Sequence, residues 1–351
     1  ANQLAAHMNF EPDDLSRVAR FWGTERLAQT PGLMAVELFD AIARGEVKAV
    51  WIMGTNPAVS LPDSHAVCQA LANCPLVMVS EVMKDTDTSR FAHIRFPALG
   101  WGEKDGTVTN SERRISRQRA FLPAPGEAKP DWWIVAQMAK RLGYGEAFAW
   151  QHPHEIFCEH AALTAFENDG ARALNLHELA ALTREEWDQL EPYQWPTGSF
   201  PRRNIVPVIP LSHGATVSAL YPLILNSGRI RDQWHTMTRT GYVARLMQHI
   251  AEPFVEVGPA DAVRFSLCDG QLARISSPRG VMVARVRISD GIREGEAFAP
   301  MHWNAGFARQ GKVNALVEGR CDPVSGQPES KQTAVRLSLI HISEPTRPIS
   351  I

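Results

Sequence analysis

The stretch VKAVWIMGTNPAVSLPDSHAVCQALANCPLVMVSE, residues 47–81, decides the fold of the first part of the chain. Val47–Met53 is a short apolar run that predicts a strand, and Gly54-Thr55-Asn56-Pro57 ends it. A helix-like segment follows from Asp63, and Leu76–Val79 is the next apolar run. Strand, helix and strand in direct succession predict a βαβ unit. We therefore expect a parallel sheet covered by helices.

Neighbouring segments extend this alternation. Apolar residues at helical spacing predict helices over Gly32–Arg44 and Asp131–Gly143, and His93–Pro97 is a further strand candidate. The stretch Glu146–Glu191 is also helical in pattern, and Thr183–Glu186 has the sequence of a capping box within it. The first part of the chain is therefore expected to be an α/β domain.

The composition changes after this region. Pro192–Pro210 contains five prolines, which predicts an irregular linker or boundary loop. The runs PLILNSG, AVRFSLCDG, QLARISSPRG and VMVARVRISDG then alternate with turns, as in a small β-barrel or sandwich. The expected organisation is an α/β domain over 1–145, helices and linker over 146–214, and an all-β domain over 215–336.

Both ends of the sequence look atypical. The chain begins Ala-Asn-Gln-Leu, without an initiator Met or a signal sequence. Residues 337–351, LSLIHISEPTRPISI, show neither helical nor strand periodicity. We expect this segment to be a non-native tail, with Arg336 the last native residue.

Composition excludes several classes of protein. The 351 residues carry 36 Lys and Arg against 38 Asp and Glu, so the net charge of −2 argues against a bulk electrostatic hold on nucleic acid or anionic lipid. No apolar run approaches the ~20 residues of a membrane span. The five cysteines match no CxxC ligand pair, so we expect reduced thiols and no metal site held by this chain alone.

Polar residues follow two of the predicted strands. Asn56 offers a donor and an acceptor to a base or sugar, and Ser80-Glu81 offers a carboxylate to ribose hydroxyls or a guanine edge. Each motif alone is also compatible with a plain loop or a helix cap. The loop WGEKDG places Lys104 where it is able to contact phosphate, whereas Arg113–Arg119 has the pattern of a solvated basic face.

A second dense group of donors lies in the β region. The segment SGRIRDQWHTMTRTG, residues 227–241, suits a polyphosphate or a pterin-like heterocycle. His302, Asn304, Asn314 and Lys331 are further polar positions there. The sequence contains no nucleophile elbow, Walker loop, HExxH or Rossmann GxGxxG.

As an ordered set, these motifs resemble the C-terminal half of a prokaryotic molybdopterin oxidoreductase. The set is GTNP, SE, WGEKDG with TNSERR, APGEAKPD, SGRIRDQWHTMTRTG, PMHWN, KVNAL and DPVSGQPESKQTAVRL. The resemblance covers residues 1–336 and is strongest to the catalytic subunit of assimilatory nitrate reductases. It implies that the last domain is a double-psi β-barrel, and that two molybdopterin guanine dinucleotides hold one molybdenum.

Matched motif by motif, the resemblance implies cofactor contacts at Asn56, Ser80, Glu81, Lys104, Asp131, Ser227, Gly228, Arg229, Trp234, His235, Thr236, Asn314 and Lys331. Glu81 departs from the family pattern, in which Asp is frequent. The family's [4Fe–4S] cysteines and its molybdenum-ligating cysteine belong to the N-terminal half. No catalytic or metal-binding residue is therefore assigned in this chain.

The resemblance implies a cytoplasmic enzyme fragment that serves nitrate assimilation by oxygen-atom transfer from nitrate, with electrons from a donor protein or reductase subunit. It implies neither nucleic acid as a partner nor membrane insertion. The fragment alone is expected to be inactive. Two alternatives stay open: a formate-dehydrogenase-like enzyme, and a non-catalytic electron-transfer relative that lost the molybdenum.

Overall fold

A computed structural model describes residues 3–195 and 214–340. The chain forms two compact units. Unit 1 comprises Ala1–Met34, Ser80–Val82 and Phe96–Ile209, and unit 2 comprises Ala35–Val79, Met83–Arg95 and Pro210–Ile351. The domain boundaries inferred from composition stay a prediction.

The helices are α1 (Pro12–Trp22), α2 (Ala35–Ala43), α3 (Pro57–Ser60), α4 (Ser64–Asn73), α5 (Asp131–Arg141), α6 (Pro153–Ala165), α7 (Arg184–Asp188), α8 (Ala244–Met247) and α9 (Pro259–Arg264). The strands are β1 (Ala49–Met53), β2 (Leu76–Glu81), β3 (Ile94–Pro97), β4 (Gly106–Thr109), β5 (Arg114–Gln118), β6 (Tyr193–Gln194), β7 (Leu223–Gly228), β8 (Phe254–Val257), β9 (Leu272–Ser276), β10 (Val281–Ile288), β11 (Glu296–Pro300) and β12 (Thr333–Leu339).

The predicted βαβ unit is present. The strand order is β1-β2-β3, and the Leu76 N–H donates to Lys48 O at 3.1 Å. Lys48 directly precedes β1 and Leu76 begins β2, so the two strands start side by side and run parallel. Apolar side chains of β1, α4 and β2, among them Ile52, Leu71 and Val77, are buried in one core. Strands of a parallel sheet are buried on both faces, which explains why the sequences of β1 and β2 are almost continuously apolar.

The β region of unit 2 is a closed six-stranded barrel with the order β10-β8-β11-β7-β12-β9. Two pairs, β10 with β8 and β11 with β7, are parallel, and the other pairings are antiparallel. Alternate residues of each strand, such as Leu223 and Leu225 or Met282 and Ala284, fill the interior. The period-two pattern of the sequence therefore closes one apolar core.

One segment of this region was predicted wrongly. AVRFSLCDG, residues 262–270, was expected to be a strand, but it contains the end of α9 and a turn. Pro259 occupies the first helical turn, where a backbone N–H has no partner within the helix, so the N–H that proline lacks costs no hydrogen bond. The buried Asp261 carboxylate accepts from the Gly295 N–H at 2.6 Å, which fixes the helix against the loop before β11.

Unit 1 contains α1, α5, α6, α7 and a small antiparallel sheet of order β4-β5-β6. The helical pattern over Glu146–Glu191 corresponds to two helices, α6 and α7, with turns between them because Gly170 adopts a positive φ of 81°. The capping box is confirmed: Thr183 Oγ1 accepts from the Glu186 N–H, and Glu186 caps the Thr183 N–H. Trp187 of α7 is fully buried in this core.

The final strand corrects the expected end of the barrel. Leu337–Leu339 belong to β12 and pair with Ile275–Ala273 of β9, and Leu337 is buried. The alternation Val335, Leu337, Leu339 is a strand pattern that continues through Arg336. Residues 341–351 and most of the Pro192–Pro210 linker lie outside the described residues, whereas Tyr193–Gln194 of that linker form β6. Among the described helices, none has the length and apolar character to span a bilayer.

Candidate functional site

The segment Ser227–Thr236, here called the donor loop, begins at the end of β7 in unit 2. β7 lies between β11 and β12 in the barrel, and Gly228 is paired with Pro300. A Cβ at Gly228 would lie 2.5 Å from the Phe298 ring, so only glycine lets the chain pass here without displacing a side chain. The barrel therefore sets where the donor loop leaves the strand.

Asn56 connects the loop after β1 to the donor loop. Its side-chain Nδ2 donates to Thr236 Oγ1 at 3.1 Å, and its Oδ1 accepts from both the N–H and the hydroxyl of Thr88. Asn56 is only 6% exposed. Its acceptor is thus satisfied within unit 2, and one amide N–H is left for a ligand.

The donor loop is also held from the barrel side by the motif Met301–Asn304. His302 accepts from the Ile230 N–H through Nε2 at 2.9 Å, and its Nδ1 lies 2.6 Å from the carbonyl oxygen of His235. Asn304 Nδ2 donates to Thr236 O at 2.5 Å. The buried side chains of His302 and Asn304 thus fix the loop backbone, and His235 adopts a positive φ of 45°.

Exposed groups of the donor loop keep hydrogen-bonding capacity for a ligand. The guanidinium of Arg229 lies 5.3 Å from the Trp234 ring and forms no ion pair among the described residues. Trp234 is 56% exposed, and its ring meets that of His235 edge-on at 4.7 Å between centroids. A cation, an indole N–H and an imidazole therefore lie along one short loop.

Lys331 adds a second cation at the start of this loop. Its ammonium donates to Ser227 O, and Ser227 Oγ donates to Ser330 O at 2.5 Å. The Lys331 side chain is exposed and has three N–H donors, of which one binds this carbonyl. The only carboxylate of the loop, Asp232, is paired with Arg231 and with His249, and these partners lower its pKa. Arg229 and Lys331 thus favour an anionic ligand.

Asn314 has a different position from the one expected of a ligand contact. Its Nδ2 donates to Val59 O and Ser60 O, both at 2.9 Å, and the residue is buried. The side chain thus holds the end of α3 against the barrel and leaves only Oδ1 for another partner.

Sequence reasoning missed an ion pair beside this contact, between the half-buried Lys312 and the buried Asp87. Lys312 lies 3.3 Å from the Asp87 carboxylate, which also accepts from the Ala305 N–H at 3.2 Å. These bonds fix the loop after β2 to the loop that follows Asn304. The two residues are far apart in sequence, and nothing in the sequence of either loop indicated the pair.

The other predicted residues belong to unit 1. Lys104 forms an ion pair with Asp131 at 2.9 Å, so two residues that the family resemblance selected separately contact each other. Ser80 is buried, and Glu81 Oε1 accepts from the Val82 N–H at 2.8 Å. Arg117, whose guanidinium lies 3.4 Å from the Trp187 ring centroid, binds Asp105 directly after Lys104.

One cavity of unit 2 does not involve the donor loop. A cavity of about 390 Å³ in unit 2 is lined by residues of α2 and α4 and by Arg279 and Arg320, and it contains none of the predicted residues. The candidate site is instead defined by the exposed donor groups of the loop, Arg229, Trp234 and His235. In residues 3–195 and 214–340, no three His, Cys, Asp or Glu side chains are grouped to hold a metal ion.

Comparison with protein-family models finds two matches in this chain. Residues 3–141 match the molybdopterin oxidoreductase model, and residues 223–334, which contain the donor loop and the barrel, match the molydopterin dinucleotide binding domain. The chain belongs to the molybdopterin oxidoreductase family. The resemblance drawn from the ordered motifs is confirmed.

Related family members include two groups of enzymes. A nitrate reductase from Klebsiella oxytoca is 68% identical and is matched over 96% of this chain and 40% of its own length. The assimilatory nitrate reductase catalytic subunit of Bacillus subtilis is 30% identical over 96% of this chain and 49% of its own. An F420-dependent formate dehydrogenase subunit alpha from Methanocaldococcus jannaschii is 33% identical over 91% of this chain and 47% of its own. This molybdopterin oxidoreductase chain thus spans less than half the length of these relatives.

A solved structure confirms the fold. Acetylene hydratase from Pelobacter acetylenicus superposes with a TM-score of 0.69 at 17% identity, over 86% of this chain and 46% of that one. The predicted fold class, an α/β parallel-sheet part followed by a double-psi-like barrel, is confirmed.

Proposed function

We propose that this chain is the part of a molybdenum-dependent nitrate reductase that supplies one portion of a bis(molybdopterin guanine dinucleotide) cradle. The observation that carries this proposal is the donor loop, which exposes Arg229, Trp234 and His235 and is bound at its first residue, Ser227, by Lys331. A nitrate reductase 68% identical to the chain supports nitrate as the substrate, reduced to nitrite in nitrate assimilation.

The donor set fits a dinucleotide. A pyrophosphate needs charge-assisted donors, which Arg229 and Lys331 provide, and a heterocycle needs a planar partner, which Trp234 provides. Asn56 and Thr236 would hold the loop in place and offer one amide N–H. Ser227, Gly228 and Asn314 would contribute to binding indirectly, because they fix the backbone positions around them.

In unit 1, the proposed contacts are Ser80, Glu81, Lys104 and Asp131. Lys104 keeps two ammonium N–H groups after its bond to Asp131, and these remain suited to phosphate. When bound, the molybdenum cofactor would supply the two-electron chemistry that removes an oxygen atom from nitrate. The residues of this chain would bind and orient that cofactor and would take no part in proton or electron transfer.

Other parts of the proposal concern the whole protein. We propose that a [4Fe–4S] cluster and the molybdenum ligand are supplied by sequence outside this chain, and that electrons come from a donor protein or reductase subunit. The protein would act in the cytoplasm. The domain boundaries at residues 145, 214 and 336 are proposed as drawn from composition, with the barrel strand extended to Leu339.

A formate-dehydrogenase-like activity is the second candidate. It is favoured by the formate dehydrogenase subunit alpha that is 33% identical over 91% of this chain. Both candidates use the same cofactor cradle, so the residues described here do not separate them.

A graft into a related enzyme tests the proposal. The matched part of the Klebsiella oxytoca nitrate reductase is replaced by this chain, and nitrate reduction and formate oxidation are both measured. We expect nitrate reduction by the graft and none by the isolated 351-residue chain. A soluble graft that lacks molybdenum and guanine would contradict the cradle itself.

A further inference from the structure

His302 lies beneath the donor loop and contacts it at two points. The residue is fully buried, at 0% exposure, two residues after the end of β11. Its Nε2 lies 2.9 Å from the backbone N of Ile230, and its Nδ1 lies 2.6 Å from the carbonyl oxygen of His235. One imidazole thus joins both ends of the segment that contains Arg231, Asp232 and Trp234.

The partners of His302 determine its protonation state. A backbone N–H only donates, so Nε2 must be the unprotonated nitrogen that accepts from Ile230. A carbonyl oxygen only accepts, so Nδ1 must carry the proton that is donated to His235. Both bonds are satisfied together only by the neutral Nδ1–H tautomer. A proton added at Nε2 would face the Ile230 N–H and break that bond.

We propose that His302 is a positioning residue whose neutral imidazole holds the donor loop in its ligand-binding geometry, and that protonation of His302 releases the loop. The inference rests on the proposed function for the identity of the ligand. The contact between His302 and the loop, and its loss in acid, do not depend on any ligand.

The surroundings of His302 keep it neutral at pH 7. Burial lowers its pKa, and the positive charge of Arg229 and the imidazole of His235 lower it further, while the bond to the His235 carbonyl opposes them. Both facing groups are on the donor loop, and the described residues contribute no carboxylate to this shift. The loop is therefore held at neutral pH and released only as the pH falls below the ordinary histidine range of about 6.5.

Amide hydrogen exchange of the unliganded 351-residue chain tests this inference at single-residue resolution. The protection of the Ile230 amide, corrected for the intrinsic rate, is measured at pH 7.5 and at pH 5. In the wild type, we expect the protection of the Ile230 amide to be about tenfold lower at pH 5 than at pH 7.5, as for one broken hydrogen bond. The amides of β10, on the opposite side of the barrel from β7, should keep their protection.

Three variants separate positioning from general stability. His302→Gln keeps an acceptor oxygen that does not titrate, so Ile230 protection should become nearly independent of pH. His302→Ala should lose that protection at both pH values. Met282→Ala, a buried truncation on β10, is the matched control and should leave Ile230 unaffected.

Two results would overturn the inference. One is equal Ile230 protection in the wild type at pH 7.5 and pH 5. The other is an equal loss of Ile230 protection in His302→Ala and Met282→Ala, which would mean that His302 acts only through overall stability. Neither result depends on cofactor content, so failure of the inference is distinguishable from failure of the proposed function.

Discussion

The side-chain amide of Asn56 donates to the hydroxyl of Thr236 across 180 positions of sequence, at 3.1 Å. Asn56 follows the first strand of the α/β part, and Thr236 ends the donor loop of the barrel. Both residues are 6% exposed, so the bond is shielded from water. Two motifs that the sequence presents separately, GTNP and QWHT, are thus parts of one hydrogen-bonded structure within unit 2.

A double-mutant cycle measures this bond. Thr236→Val removes the acceptor while it keeps the side-chain shape, and Asn56→Ala removes the donor. The loss of the Thr88 contact in Asn56→Ala occurs in both halves of the cycle and cancels. We expect a coupling free energy of about 0.5–1.5 kcal/mol in chemical unfolding, the net value of one hydrogen bond. Pairing Asn56→Ala with Ser277→Ala, which removes a buried hydroxyl bonded to Leu316 O, is the control cycle and should show additive effects. Additivity of the first pair would show that the bond contributes nothing.

The close approach of Gly228 to Phe298 leads to a rescue experiment. Gly228→Ala places a methyl group 2.5 Å from the ring, so we expect overpacking to lower the free energy of unfolding by about 1–3 kcal/mol. Phe298→Leu should restore most of that loss in the double variant, because the smaller side chain vacates the contact. Thermal unfolding of the four proteins provides the comparison. A double variant no more stable than Gly228→Ala would contradict the role of the contact with Phe298.

Arg117 is expected to hold the loop that contains Lys104. Its side chain is 2% exposed, stacks on Trp187, and pairs with Asp105 and Asp188. Arg117→Lys keeps the charge but loses the planar stacking and the forked donors. We expect the free energy of unfolding of unit 1 to fall by about 1–3 kcal/mol. Asp105 and Asp188 are partly exposed, so water would partly replace the ion pairs that they lose. Arg119→Lys, at an exposed arginine of the same segment, should change stability little.

The end of the barrel is tested by truncation. Removal of residues 341–351 should change the free energy of unfolding by no more than about 0.5 kcal/mol if that segment is a non-native tail. Removal of residues 337–351 should lower the free energy of unfolding by about 2–5 kcal/mol. It deletes a buried leucine and three residues of β12 that pair with β9. Equal stabilities of the two truncated chains would contradict the assignment of Leu337–Leu339 to β12.

The sequence was sufficient to predict those secondary-structure elements that depend on a local pattern of residues. Continuous apolar runs predicted β1 and β2, alternating apolar residues predicted β7, β9 and β10, and Thr183–Glu186 predicted its own capping box. For α9 the local pattern predicted the wrong element, because the apolar run resembles a strand while Pro259 and Asp261 favour a helix. It also understated β12, whose alternation continues past the boundary drawn at Arg336.

The candidate site was predictable as a set of residues but not as a set of contacts. Motif order indicated Asn56, Thr236 and Lys331, yet nothing local shows that Asn56 satisfies Thr88 or that Lys331 binds Ser227 O. These partners depend on the closure of the barrel, which brings distant loops together. For the same reason the positioning role of His302 became visible only from its two backbone partners.

The central claim is that the donor loop and Lys331 hold a molybdopterin guanine dinucleotide. The most direct test measures molybdenum by mass spectrometry and GMP released by acid hydrolysis, per polypeptide, in the grafted Klebsiella oxytoca nitrate reductase. Arg229→Ala/Lys331→Ala is compared with Lys48→Ala/Arg293→Ala, which removes two exposed cations elsewhere in unit 2. We expect full occupancy in the control and less than about a tenth in the test variant, since two charge-assisted hydrogen bonds are lost. Full occupancy in both variants would contradict the account.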